Sequence, residues 1–337
     1  MQVCLNGTRT REECAHVPWT ATELAAAAVS AVAAGADEIH LHPKTPDGAD
    51  TLAADHVAGA LTAVRKAVPG IAIGVAVGAL PASDAAQSAA AVRSWTVVPD
   101  SATVTWQEDG ADLIAAALQE RGVRIEAAVR SAGDARRYLA RPRAVDVARL
   151  VVEITDADPR TAPAAAVALL TTLAGPASPV LMHGRSAAAW SVLHMAAIRG
   201  MATRIGLQDV LELPDGTPAT NNAELITHAC RMITHASAGA PVPHRGAGSA
   251  HRGQRRIRSS VLRAGFAQSK LTVESLWLRY VGVGGAMPFE RLHAALHAHD
   301  LPELEHDLIA QALNEYFLER GTPHPVAYAD EVDDHRT

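Results

Sequence analysis

Aromatic side chains are scarce: five Trp, four Tyr and three Phe make up 4% of 337 residues. The apolar share of 48% therefore falls to Ala, Val and Leu, a composition suited to Ala-rich helices packed on a parallel sheet. Cysteine is equally sparse. Cys4, Cys14 and Cys230 are odd in number and form no CxxC, which argues against a disulfide framework and for a reducing compartment, so the cytoplasm is expected. No run reaches the 18 or more apolar residues of a membrane span, and MQVCLNGTRTREE lacks the basic and apolar regions of a signal peptide. Positive charge is also lacking overall. A net charge of -6 gives no general attraction for nucleic acid or an anionic membrane, so neither is an expected partner.

What the chain does have is periodicity. From Met1 to about His235, short β-branched runs alternate with longer Ala/Leu segments, the pattern of repeated βα units. Eight strands are expected: Gln2 to Leu5, Glu38 to His42, Ile71 to Val77, Ala102 to Trp106, Arg124 to Val129, Ala148 to Ile154, Val180 to His183 and Thr203 to Gly206. Helices are expected after them, among them Ala21 to Ala34, Ala53 to Ala67, Asp109 to Glu120 and Asn221 to Ile233. Eight such units, with no GxGxxG after the first strand, favour a closed (β/α)8 TIM barrel over residues 1–236 rather than an open doubly wound sheet.

Residues 237–270 are rich in Gly, Pro, Ser and Arg, show no hydrophobic period and read as a basic linker. Over 271–325 three helical patterns follow, Thr272 to Tyr280, Phe289 to Ala298 and Pro302 to Glu319, giving a small C-terminal helical appendage. The tail from Asp330 is expected to be unstructured.

The sharpest local feature is Ile39-His40-Leu41-His42 at the end of the second strand. Strand side chains alternate, so His40 and His42 share one side, and in a barrel the C-terminal end of the strands carries the active site. Two imidazoles there suit a divalent metal, Zn2+ first, although a hydrogen-bonded core histidine gives the same spacing.

CLNGTRTREE, VPWTATELAAAAVSAVAAGADEIHLHPKTPDG, WTVVPDSATVTWQEDG and TRIGLQDVLELPDGTPATNNAELI, in that order, resemble successive blocks of the β-keto acid cleavage enzyme family. The likeness spans residues 2 to about 235. It implies a zinc-bearing barrel that condenses a β-keto acid with acetyl-CoA, giving acetoacetate and a new acyl-CoA. It further implies that His40 and His42 bind the zinc, that Arg204 holds the substrate carboxylate and that Asp209 is the base. The family's third metal ligand is a glutamate, and Gln208 stands in its place. An amide oxygen can still ligate a cation but leaves more of its charge uncompensated, so affinity falls while Lewis acidity rises. After the third strand this chain has Ala76-Val77-Gly78 where the family offers small hydroxyl residues.

Glu126 falls where the family presents an acidic residue; an arginine-paired buried glutamate is the other reading. His183 closes the seventh strand as a substrate contact, a spare metal ligand or a structural histidine. Thr105 after the fourth strand and Lys44 beside the histidine pair are further substrate-binding candidates, Lys44 also reading as an exposed loop lysine. The related enzymes are multimeric, so a homo-oligomer is expected. The alternative to an enzyme is a catalytically silent barrel, a ligand sensor or scaffold with a partner-binding tail, a reading that Gln208 favours.

Overall fold

A computed structural model describes residues 1–77, 84–106, 110–140, 145–155, 162–173, 178–214, 216–239, 256–282, 287, 289–297, 300–318, 320, 326–328 and 332. Gly78, Asp109, the stretch 240–255 and the tail from Asp330, Val332 apart, lie outside the described residues. The chain divides into two compact units, Met1–Gly239 and Ala240–Thr337.

The first unit is a (β/α)8 barrel. Its strands are β1 (Gln2–Cys4), β2 (Glu38–Leu41), β3 (Ala72–Ala76), β4 (Ser101–Thr105), β5 (Arg124–Val129), β6 (Arg149–Ile154), β7 (Val180–Gly184) and β8 (Arg204–Ile205). All pair in parallel in the order β7-β6-β5-β4-β3-β2-β1-β8. A parallel bridge between Leu181 and Ala202, with Met182 N donating to Ala202 O at 2.9 Å, brings β7 to the start of β8 and rounds off the cylinder. Helices α1 (Ala21–Ala33), α2 (Ala54–Ala67), α3 (Ala85–Ser94), α4 (Ala111–Glu120), α5 (Ala132–Ala140), α6 (Ala162–Thr172), α7 (Ala189–Ile198) and α8 (Asn222–Gly239) follow the strands in turn.

Local chemistry explains several boundaries. Thr20 and Glu23 form a reciprocal capping box at the start of α1. Small side chains on α1, Ala28 and Ala31, are fully buried, so the helix lies close on its neighbours. The strands alternate as the sequence suggests: Ile39 and Leu41 are buried among apolar groups, while His40 turns to the polar interior. Gly74 on β3 lies beside that ring and makes room for Ser101. A Cβ at position 74 would stand 2.8 Å from Ser101 Oγ and 3.7 Å from His40 Nδ1.

The second unit contains more than the sequence suggested. Among its described residues are α9 (Ser260–Ser269), α10 (Val273–Gly282), α11 (Phe289–His297) and α12 (Glu303–Leu318), with an antiparallel pair, β9 (Arg256–Arg258) and β10 (Asp300–Pro302). The segment read as linker up to residue 270 thus becomes regular from Arg256 onward. Its apolar pattern was concealed because one contact of α9 is made by a glycine: a Cβ at Gly265 would meet Val326 at 2.4 Å. Pro302, expected to open the last helix, closes β10 instead, and α12 begins one residue later. Leu262, Leu276, Leu292, Leu296, Ile309 and Leu313 form the buried interior, and Asn314 ties down Val326 through both backbone groups at 2.8 and 3.0 Å.

Candidate active site

The charged residues inside the barrel form two layers. At the start of the strands, Arg149 reaches Glu126 on the adjacent strand at 2.5 Å and Glu38 on β2 at 2.7 and 3.2 Å. Thr103 donates to Glu126 at 3.1 Å, and Gln2 donates to Glu38 at 3.2 Å. Glu126, expected among the catalytic groups, is therefore bonded through both oxygens in a structural network that crosses the barrel.

The second layer lies at the other end of the strands. His40, on β2, and His42, directly after it, place their ring centroids 5.4 Å apart, edge to face. Asn6 holds the His42 backbone from both sides, accepting from its N–H and donating to its C=O, each at 2.9 Å. Asp50 accepts from His42 Nδ1 at 2.9 Å, which leaves the Nε2 lone pair free. His42 Nε2, His40 Nδ1 and Gln208 Oε1 are all buried without a hydrogen-bond partner. Gln208 rests on Gly7, whose positive φ and missing side chain permit the approach: a Cβ there would lie 2.4 Å from Gln208 Cγ. Lys44 is buried and donates to Asp50 at 2.7 Å and to Gly48 O at 3.3 Å. Lys44 is thus not an exposed loop lysine; it braces the partner of His42. Thr105 is buried at the end of β4.

Across the mouth stands a cluster around Glu153, a residue that the sequence reading passed over. Glu153 and His183 are register partners on β6 and β7, with His183 Nε2 3.5 Å from Glu153 Oε2 and His183 Nδ1 3.4 Å from Asp209 Oδ1. Arg204 Nη2 lies 3.6 Å from Glu153 and 3.7 Å from Asp209. Arg130 Nε, 3.0 Å from Glu153 Oε1, does not aim its N–H at that oxygen, and Arg185 Nη1 is 3.7 Å from the same atom. At 3.6 and 3.7 Å the contacts of Arg204 and Arg185 are ion pairs rather than hydrogen bonds, and that of Arg130 is one by its orientation. Both nitrogens of His183, both oxygens of Asp209, and Nε and Nη1 of Arg204 lack hydrogen-bond partners although the three residues are buried.

These charges set one another's ionisation. Burial raises the Glu153 carboxyl, but His183, Arg204 and Arg130 outweigh it and hold the group well below the usual carboxylate range. Asp209 follows the same balance, burial against Arg204 and His183, and is lowered. Burial also disfavours charge on Arg204, yet the neighbouring acids keep it protonated with its pKa raised. His40 is pushed well below its ordinary value by burial and by the Arg204 charge, so its ring is neutral and able to donate a lone pair. Burial raises the Cys4 thiol, which excludes a thiolate nucleophile there.

Among the described residues no group of three or more His, Cys, Asp or Glu side chains is placed to hold a metal ion. On the β2 side the orphaned atoms are His40 Nδ1, His42 Nε2 and Gln208 Oε1, a set without formal negative charge. The carboxylates of the other cluster face arginines. A cleft of about 660 Å3 is lined by Arg9, Ser186, Trp190, Val210, Leu211 and Gly216, and none of the site residues lines it.

A family model described as beta-keto acid cleavage enzyme matches residues 1–243. The chain belongs to that family. Among solved structures, the apo structure of ObcA aligns with a TM-score of 0.50 at 15% identity, over 67% of this chain and 63% of that one. This chain thus spans less than two thirds of the ObcA chain. A 3-dehydroquinate dehydratase from Geobacillus kaustophilus aligns with a TM-score of 0.50 at 10% identity, over 71% of this chain and 91% of that one. At such identities the likeness is one of fold, the TIM barrel. No curated protein matches the chain. No helix among the described residues is long and apolar enough to cross a membrane.

Sequence reasoning located His40, His42, His183, Arg204, Gln208 and Asp209, and the structure gathers all six at one end of the barrel. It missed Glu153, Asp50, Arg130 and Arg185. The signal for Glu153 is a single carboxylate near the end of Leu-Val-Val-Glu-Ile, where an apolar strand has no structural use for charge.

Proposed function

We propose that the barrel cleaves a β-keto acid with acetyl-CoA as co-substrate, giving acetoacetate and a new acyl-CoA, with a divalent metal, Zn2+ first, at His40, His42 and Gln208. The observation that carries this reading is the unsatisfied upper layer. Buried polar atoms nearly always find partners, and a concentration of orphaned nitrogens and oxygens on His40, His42, His183, Arg204, Gln208 and Asp209 is a site shaped for something else to bind.

Membership of the family supports the chemistry. Arg204, charged and with unused N–H groups, takes the substrate carboxylate. Asp209 receives the proton lost from the carbon between the keto and carboxylate groups. Its lowered pKa keeps it ionised and also makes it a weak base, so the resulting enolate depends on positive charge close by, which Arg204 supplies. A bound cation would add Lewis acidity at the keto oxygen. The enolate carbon then joins the acetyl carbonyl and CoA thiolate departs. Thiolate addition to the original keto carbon, with rupture of the old carbon–carbon bond, releases acyl-CoA and acetoacetate, and the proton returns from Asp209. His183, set between Glu153 and Asp209, keeps both carboxylates in place as the proton moves. A homo-oligomer in the cytoplasm remains the expected form.

The test is turnover of short β-keto acids with acetyl-CoA by zinc-loaded protein, followed as acyl-CoA formation. Time-dependent acyl-CoA that requires both substrates is expected. Keto acid binding without any turnover would overturn the catalytic reading and leave a ligand-sensing barrel.

A further inference from the structure

The arginines on the far side of the mouth exceed what the cleavage chemistry uses. Arg130 directly follows β5 and Arg185 directly follows β7, so both flank Glu153 on β6. In the circular strand order β6 lies opposite β2, the strand of the histidine pair. Three guanidiniums, those of Arg130, Arg185 and Arg204, converge on the single carboxylate of Glu153. Each guanidinium carries five N–H donors, whereas a carboxylate offers about four acceptor sites, so one Glu cannot satisfy three arginines. Asp209 takes part of Arg204. Arg185 gives one further hydrogen bond, to Gln208 O at 3.5 Å. The side chains of Arg130 and Arg185 keep 32% and 28% of their surface accessible, so both stay open to solvent while paired with Glu153.

We propose that Arg130 and Arg185 form a second anion subsite that takes a carboxylate at the far end of the keto acid, which makes β-ketodicarboxylates the substrate class. The inference rests on the cleavage reading for the position of the reacting end. With the near carboxylate on Arg204 and the carbonyl toward β2, the substituent on the keto carbon points to β5–β7, where among the described residues three arginines face Glu153 and Asp209. A planar guanidinium pair recognises a carboxylate bidentately, and the shared Glu153 holds the two arginines at a fixed spacing while leaving them net positive.

The test is calorimetry on the zinc-loaded full-length protein with two unreactive probes of equal length, adipate and hexanoate. The wild type is expected to bind adipate at least about tenfold more tightly, the value of a charge-assisted contact, and Arg130→Gln and Arg185→Gln are each expected to reduce that ratio by about tenfold. Equal affinity for the two probes in the wild type overturns the proposal, and this comparison requires no variant to fold. An unchanged ratio in both folded variants also overturns it. So does a loss confined to acetyl-CoA affinity, which would assign the arginines to the phosphates of the thioester. Because binding is read without turnover, the two readings fail separately: adipate preference with no cleavage of any β-keto acid sinks the cleavage reading alone, and cleavage without adipate preference sinks the subsite alone.

Discussion

The two charged layers of the barrel interior differ in how far their polar atoms find partners. In the lower layer Arg149, Glu126, Glu38, Thr103 and Gln2 hydrogen-bond one another at 2.5 to 3.2 Å, with Gln2 Oε1 left over. In the upper layer His40, His183, Arg204, Gln208 and Asp209 are all buried and each leaves at least one polar atom unpaired. A satisfied network ties strands together, whereas an unsatisfied one stores binding capacity that a ligand releases. The contrast matches the general division of such barrels, with stability at the N-terminal end of the strands and chemistry at the C-terminal end.

Changes in the two layers therefore belong to different assays. The largest effect is expected for Asp209→Asn, which keeps the shape, removes the base and should lower kcat by about 10²- to 10⁴-fold. Urea denaturation should show a loss of stability as well, because Arg204 and His183 favour the Asp209 charge that disappears. Arg149→Met should affect stability alone. It strands Glu126 and Glu38, and a loss of about 3 kcal/mol in the same denaturation experiment is expected, the protein that remains folded keeping most of its kcat. A large kcat effect from Arg149→Met that matched the Asp209 variant would erase the distinction between the layers.

A smaller effect concerns acid. Glu153 and Asp209 are lowered on folding, so each contributes stability that is complete above its ordinary pKa and is lost as pH falls through that value toward the folded one. Stability of the wild type should fall below the ordinary glutamate value of 4.5, and Glu153→Gln should flatten that slope, read by denaturation between about pH 3 and about pH 6. An unaltered slope would place the acid-sensitive charges elsewhere.

How much of this was legible in the sequence follows from where the information lies. The eight βα units could be read from periodicity, since each strand is a short apolar run followed by an Ala-rich helix. The histidine pair could be read because strand alternation fixes both rings on one side. Asp50 could not, because its contact with His42 is set by the course of the loop between β2 and α2. Arg130 and Arg185 look like ordinary charges at strand ends until β5, β6 and β7 are assembled around Glu153. The arginine that pairs with Glu126 could not be named, because it lies 23 residues away, on a neighbouring strand whose register only the sheet discloses. In the second unit, α9 escaped notice because a glycine makes one of its close contacts.

The central claim is that the orphaned donors of the upper layer are a ligand site, and zinc titration by calorimetry tests it most directly. One equivalent per chain is expected for the wild type, with no binding by His42→Ala and an affinity about 10- to 100-fold weaker in Asp50→Asn, whose loss frees the imidazole from its orienting carboxylate. Zinc uptake unaltered by His42→Ala, or absent from the wild type, would contradict the account.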